Sequence, residues 1–272
     1  MSRKNLFVVL ALMLALVLAT MALVAGCGED KEEPTPDENG EEVAIETIEE
    51  GKLLMGSDTT YPPFESIDDQ GNPEGFDIDI AKEVAKRLGL ELEVKSVKWE
   101  GIIPGLKTDD YDIVMSAMTI TEERLLEIDF SDPYIDSNQS IAVQEENEDI
   151  KGEEDLAGKV VGVQVDTTGQ FYAEGIGGIK EIRKYDTILL AFQDLELGRI
   201  DAIMNDFPVN AFISKSRGGT KVVATITTDE QYGIGIKKGN DELLDAVNGA
   251  LADMMADGTY DEIFENWFGV AE

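Results

Sequence analysis

The run Met115-Ser116-Ala117-Met118-Thr119-Ile120-Thr121-Glu122-Glu123-Arg124 places hydroxyls, small residues and one guanidinium side by side, with Phe130-Ser131-Asp132-Pro133-Tyr134 close behind. The β-rich stretch Tyr111 to Met115 delivers this group to a strand's C-terminal end. Thr119 and Thr121 offer helix N-caps, and Glu122 and Glu123 fall in the acid-favoured first turn. In open α/β sheets a ligand sits beyond the strand ends, and a guanidinium fork there suits a carboxylate. The competing reading is a capped surface helix with Arg124 paired to Glu127 or Asp129.

Alternating strand and helix surround this run from Val43 onward. Lys52 to Ser57, Glu91 to Ser96 and Asp112 to Met115 are expected as strands, with Asp68-Asp69-Gln70-Gly71-Asn72 as a hairpin turn. Phe76 to Leu88 repeats apolar residues at spacing four and stops at Gly89, the pattern of a helix. Trp99 to Leu106 is expected as a short helix. Such alternation predicts an α/β fold with a mostly parallel sheet. The second half echoes the first: Lys52 to Tyr61 recurs as Lys159 to Thr168, with one extra residue before Asp166. Leu106, Asp112, Ile113 and Met115 recur at constant offset as Leu195, Asp201, Ala202 and Met204. Two lobes of one architecture are therefore expected, with polar residues of both facing a cleft. Asp241 to Ala256 reads as an amphipathic helix, broken at Gly258-Thr259-Tyr260, with a last short helix over Asp261 to Phe268. These helices would return to the first lobe. The chain would then cross twice, near Tyr134 to Ala142 and Thr227 to Ile234, which makes a hinge. The expected division is 46–137 plus 232–272 for the first lobe and 138–231 for the second.

The 272-residue chain carries 57 Asp+Glu against 22 Lys+Arg, a net charge of −35, with no His and a single Cys. Such a surface cannot neutralise phosphates, which argues against nucleic acid. Arg3 and Lys4 precede an apolar run from Leu6 to Val24 that ends at Val24-Ala25-Gly26-Cys27, the layout of an export signal over 1–26. The run is also long enough to span a bilayer, so a retained anchor with an unremarkable thiol stands beside cleavage at Cys27. Either way the rest of the chain lies outside the cytoplasm. Residues 27–45 are acidic, contain Pro34 and Pro36, and read as a disordered tether.

The order of several blocks resembles the extracytoplasmic polar amino-acid-binding proteins of ABC importers (solute-binding protein family 3). The blocks are Asp58-Thr59-Thr60-Tyr61-Pro62-Pro63-Phe64-Glu65, Gly75-Phe76-Asp77-Ile78-Asp79-Ile80, Thr119 to Arg124, Phe130 to Tyr134, Asp155 to Val163 and Asp257-Gly258-Thr259-Tyr260. Val24-Ala25-Gly26-Cys27 resembles a bacterial lipobox, which implies a lipid on Cys27. The resemblance implies two doubly wound α/β lobes joined by a two-crossing hinge, the type II periplasmic-binding-protein fold. It makes Arg124 the clamp on a ligand carboxylate, with Thr119 and Thr168 as further donors, and Asp206 the acceptor of the ammonium. Ala117 would act through its carbonyl. Tyr61 and Trp99 would wall the ligand side chain, and Asp58 would read its tip. Ser116, Met118, Gln164 and Thr167 complete the expected site. Asp166 stands where the family often has Gly, and would add negative charge near the carboxylate. On the residues alone, Asp58 can equally be a loop cap and Trp99 core. Asp77 and Asp79 are expected as first-turn helix acids rather than a metal pair, and Gly175-Ile176-Gly177-Gly178 as a plain turn.

The function expected is capture of an amino acid and its delivery to an ABC permease, by a monomer with no cofactor, metal or catalytic residue. Asp58 and Asp166 favour a polar or cationic ligand. A dehydratase-like enzyme on the same fold, or a protein presenting ligand to a separate receptor, are the other classes. Absence of His and of a free thiol in the mature chain removes the commonest base and nucleophiles.

Overall fold

The computed structural model describes residues 45–269; the expected export signal, Cys27 and almost all of the acidic tether lie outside them. In chain order the elements are β1 (Lys52–Ser57), β2 (Ser66–Ile67), β3 (Pro73–Glu74), α1 (Phe76–Arg87), β4 (Glu91–Ser96), α2 (Ile102–Lys107), β5 (Ile113–Val114), α3 (Glu122–Leu125), β6 (Asp129–Phe130) and β7 (Ile135–Gln144). They continue with β8 (Val160–Gln164), α4 (Thr168–Gly175), β9 (Glu181–Tyr185), α5 (Ile188–Glu196), β10 (Ala202–Asp206), α6 (Phe207–Arg217), β11 (Thr220–Tyr232), β12 (Gly235–Ile236), α7 (Asp241–Asp257) and α8 (Thr259–Phe268). A 3₁₀ turn at Trp99–Gly101 leads into α2.

Two five-stranded sheets result, ordered β4-β1-β5-β12-β6 and β11-β7-β10-β8-β9. In the first, β4 and β5 flank β1 in parallel while β12 runs antiparallel to β5 and β6. In the second, β9 and β10 flank β8 in parallel, and β7 and β11 are antiparallel. Four strands of each sheet therefore share one direction, and only β12 and β7 oppose it. These two reverse because they start at the hinge and run away from the cleft, toward which the parallel strands run. A direct entry without a crossover helix gives antiparallel pairing. The hinge is β7 paired with the end of β11, Ile135 opposite Tyr232 and Ser137 opposite Glu230.

The internal echo has a physical counterpart. Asp112 accepts the backbone N–H of Leu54 at 2.8 Å and donates its own N–H to the Leu54 carbonyl at 2.9 Å. Asp201 does the same to Val160, at 2.7 and 2.8 Å. Each clamp sits beside a glycine, Gly56 against the Tyr111 ring and Gly162 against Ile200, where a Cβ would come within 2.5 Å. These clamps make Leu54 equivalent to Val160, and therefore Asp58 equivalent to Gln164. The register differs by one from an echo that sets Lys52 against Lys159.

The Phe76, Ile80 and Val84 face of α1 is buried, as its spacing requires. Against it pack α7, through Leu243, Val247, Leu251 and Met254, and α8. Phe76 meets the rings of Tyr260, Phe264 and Phe268 edge-on at 5.2–6.1 Å, a geometry aromatic quadrupoles favour. Gly258, at φ 85°, is the only break between α7 and α8, so α8 begins at Thr259 rather than Asp261. One left-handed residue is enough to turn the chain. Among the described residues no helix is long and apolar enough to cross a membrane.

Candidate functional site

Between the lobes lies a narrow cavity lined by Asp58, Tyr61, Glu65, Trp99, Ser116, Ala117, Thr119 and Arg124 from the first lobe and Gln164, Thr167, Thr168 and Asp206 from the second. A larger groove runs along the hinge between α6 and α8, but its lining is mainly aromatic and apolar, with Asp136 and Lys215 its only charged residues. Convergent polar groups mark the first cavity as the candidate site. Among the described residues no His/Cys/Asp/Glu group could hold a metal ion.

The turn after β5 forms one wall. Ala117 has φ 46°, uncommon for a residue with a Cβ, and its N–H is held by Asp77 Oδ2 at 2.7 Å. Asp77 also receives the Tyr134 hydroxyl. It is wholly buried, so it is a structural anchor of the site as well as a first-turn acid. Asp79 is tied on the surface, to Lys82 and the Trp267 indole N–H. The Ser116 hydroxyl donates to Glu65 at 2.7 Å and accepts the Asp58 N–H at 2.9 Å. Glu65 and Asp77 are both buried, and the charge of Asp77 acts on Glu65, while among the described residues no donor reaches Glu65 Oε2. Burial raises both above the ordinary carboxylate range, Glu65 further because Asp77 adds its charge and backbone and hydroxyl donors favour Asp77 as the anion.

The opposite wall centres on Asp206, at the end of β10. Its carboxylate receives the Tyr232 hydroxyl and the Gln139 amide, and lies 2.8 Å from the Tyr61 hydroxyl of the first lobe. Tyr61 is equally close to Asn205 Oδ1, with one proton to give. Burial, then the Glu230 charge, pushes Asp206 up to about 6. Glu230 itself comes from the hinge strand β11, where Asp229 at φ 51° and a register shift between Ile226 and Glu230 turn the chain. Its carboxylate accepts the hydroxyls of Thr119 at 3.0 Å and Thr168 at 2.9 Å, and the Gln139 amide at 3.1 Å. Thr119 is therefore not a helix cap; Thr121 is, accepting the Arg124 N–H.

Arg124 is half-buried and is the only cation among the lining residues. Its guanidinium donates to the Thr119 carbonyl at 2.7 Å and lies 5.1 Å over the Trp99 ring. The surface pairing is not formed: Glu127 binds Lys107 at 2.8 Å and Asp129 accepts the Gly239 N–H. Burial lowers the Arg124 pKa, and Asp206 and Glu230 act against that. Among the described residues four of its N–H groups have no partner.

The remaining expected residues divide. Asp58 is both loop cap and cleft group, accepting Thr60 Oγ1 and Gln164 Nε2, each at 2.8 Å. Thr167 caps α4. Trp99 is half-buried and donates its indole N–H across the cleft to the Asp166 carbonyl at 3.0 Å. Met118 does not line the cavity; its side chain is buried with Leu54, Leu106 and Ile128, because alternation after Ala117 turns it into the sheet. Asp166 adopts φ 56°, the backbone that Gly would supply, and its side chain is exposed and outside the lining. The added negative charge comes from Glu230 instead. Glu230, Gln139 and Glu65 escape a reading of the sequence by motif roles. The one available signal, for Gln139 alone, was the polar run Asp136-Ser137-Asn138-Gln139-Ser140 directly before the apolar Ile141-Ala142-Val143.

The chain is similar to known proteins along most of its length. The family description "Bacterial extracellular solute-binding proteins, family 3" matches residues 53–270. The L-cystine-binding protein TcyJ of Escherichia coli K12 is 38% identical over 224 residues, 81% of this chain and 84% of the relative. The ABC transporter arginine-binding protein 1 of the same strain is 37% identical over 222 residues, 80% of this chain and 90% of the relative. A solved structure of an ancestral arginine-binding protein bound to glutamine is 44% identical, with a TM-score of 0.78 over 80% of this chain and 98% of that one. These relatives are transport binding proteins, and this chain likewise is not an enzyme. Its two α/β lobes and hinge are the type II binding-protein fold, and the chain belongs to family 3 of the bacterial extracellular solute-binding proteins.

Proposed function

We propose that the protein captures one amino acid as a zwitterion between its lobes, 46–137 plus 232–272 and 138–231, and delivers it to the permease of an ABC transporter. The observation that carries this reading is the pair of opposite charges across one cavity: Arg124 with unused N–H groups on one wall, and the buried Asp206 carboxylate on the other. Arg124 takes the ligand carboxylate, joined by Thr119 and Thr168, and Asp206 takes the ammonium, joined by the Ala117 carbonyl. Tyr61 and Trp99 wall the side chain, and Asp58 with Gln164 meets its tip.

Asp58 and Asp206 against the single Arg124 favour a polar or cationic side chain over an acidic one. The ligands named for the reported relatives, cystine, arginine and glutamine, fit that preference. Lobe closure follows from the same geometry, because only the closed form completes both charge pairs, the differential contact that a population shift requires. The mature protein begins at a lipid-modified Cys27 and works as a monomer at the outer face of the cell membrane. Mass spectrometry of the compound released on unfolding tests the reading: an amino acid supports it, and loading with a solute lacking either the carboxylate or the ammonium contradicts it.

A further inference from the structure

Glu230 occupies a position that the proposed function gives to the ligand. Its Oε2 receives the Thr119 hydroxyl of the first lobe and the Thr168 hydroxyl of the second, at 3.0 and 2.9 Å. Those are the hydroxyls assigned to the ligand carboxylate. Gln139, which also donates to Asp206, completes the set. A carboxylate from the hinge strand thus joins the lobes through the donors that an amino acid would use.

We infer that Glu230 is an affinity-determining residue: its carboxylate substitutes for the ligand carboxylate in the ligand-free protein and must be displaced for an amino acid to bind. The inference rests on the proposed amino-acid reading of the cleft. Three features support it. The two hydroxyls come from opposite lobes, so the contact draws the lobes together without ligand. The bulge at Asp229, in the left-handed region at φ 51°, turns Glu230 toward the cleft out of the register that Ala224 to Ile226 keep. Arg124, by contrast, has no carboxylate within ion-pair distance among the described residues, so Glu230 takes the hydroxyls and leaves the guanidinium open. An incoming carboxylate can therefore engage Arg124 first and then exchange places with Glu230. A group that must vacate a subsite lowers apparent affinity by the fraction of molecules in which the subsite is free.

The test uses Glu230→Gln, Glu230→Ala and Glu230→Asp in refolded, ligand-free protein, titrated beside the parent with a panel of the standard L-amino acids, arginine, glutamine and cystine included. The aspartate keeps the charge on a shorter stem and separates displacement from simple repulsion. All three variants should bind tighter than the parent, by about tenfold if Glu230 fills the subsite in about nine molecules of ten. Small-angle scattering of the ligand-free variants should show a larger radius of gyration, because the bridge between the threonines is lost. Unchanged or weaker binding in the three variants overturns the inference, and weaker binding makes Glu230 a ligand contact. An aspartate variant that matches the parent while Gln and Ala bind tighter also overturns it, in favour of charge alone. If no amino acid binds even the parent, the amino-acid reading fails. The scattering comparison then still decides the Glu230 bridge, an unchanged profile overturning it.

Discussion

Asp58 and Gln164 stand at equivalent places in the two lobes and bond each other across the cleft, Gln164 Nε2 donating to Asp58 Oδ2 at 2.8 Å. Both are almost fully buried, and burial raises the Asp58 pKa despite the Thr60 and Gln164 donors. The fold's internal symmetry thus supplies a donor where it supplies an acceptor, and the lobes close on the pair.

Gln164→Glu replaces that donor with a second carboxylate. Closure then needs an extra proton, since two buried like charges at this distance are unfavourable. Ligand affinity should fall on the order of tenfold or more at pH 7 and recover as pH is lowered toward the ordinary carboxylate range. Calorimetry at several pH values checks this; an affinity independent of the substitution would remove the contact from the closing mechanism.

Arg124→Ala should leave the fold intact, since the guanidinium is half-exposed and bonds only the Thr119 carbonyl among the described residues. A charge-assisted hydrogen bond contributes about 1.5–3 kcal/mol, and stranding a buried charge costs about 3–5. Binding should weaken on the order of a hundredfold or more, with an unchanged circular dichroism spectrum. Near-parental affinity would exclude Arg124 as the carboxylate clamp.

The buried Glu65–Asp77 pair sets a pH dependence. Both carboxyls titrate above their unfolded values, so the native state binds the proton more tightly. The stability this contributes is full below about pH 4 and is lost as pH rises through the raised native values. Asp206, raised to about 6, has the same sign. Glu65→Gln removes the carboxyl whose ionisation burial and the Asp77 charge oppose. It should stabilise the ligand-free protein at pH 8 by on the order of 1 kcal/mol, ~2–4 °C in Tm, and flatten the profile between pH 4 and 8. Differential scanning calorimetry reads both, and a variant that melts lower at pH 8 would argue against Glu65 as the group that sets the pH dependence.

Cys27→Ser should give protein that is either uncleaved or released from the membrane. Membrane fractionation with mass analysis of the N-terminus distinguishes these from the parent. Normal processing and retention of the variant would place the anchor elsewhere.

Much of this was legible in the sequence because local chemistry set it. The Phe76 to Leu88 periodicity, the Thr121 cap and the hydroxyl-guanidinium run are short-range patterns; the first builds core, and β5 delivers the last to the cavity. Glu230 was illegible because its role depends on a bulge and on two threonines far away in sequence. The echo was visible, but its register was set by backbone clamps at Asp112 and Asp201 rather than by the matching letters. Asp166 drew attention as a charge, whereas the structure uses its backbone: a left-handed φ, and a carbonyl that accepts the Trp99 indole.

The central claim is that both ends of a zwitterion are held at once, by Arg124 on one lobe and Asp206 on the other. The most direct measurement is calorimetric titration of the refolded, ligand-free protein with an amino-acid panel, followed by the N-acetyl and methyl-ester forms of whichever binds best. We expect one polar or cationic amino acid to bind at micromolar affinity or tighter, with either blocked form weaker on the order of a hundredfold. Undiminished binding of an acetylated or esterified ligand would contradict the account.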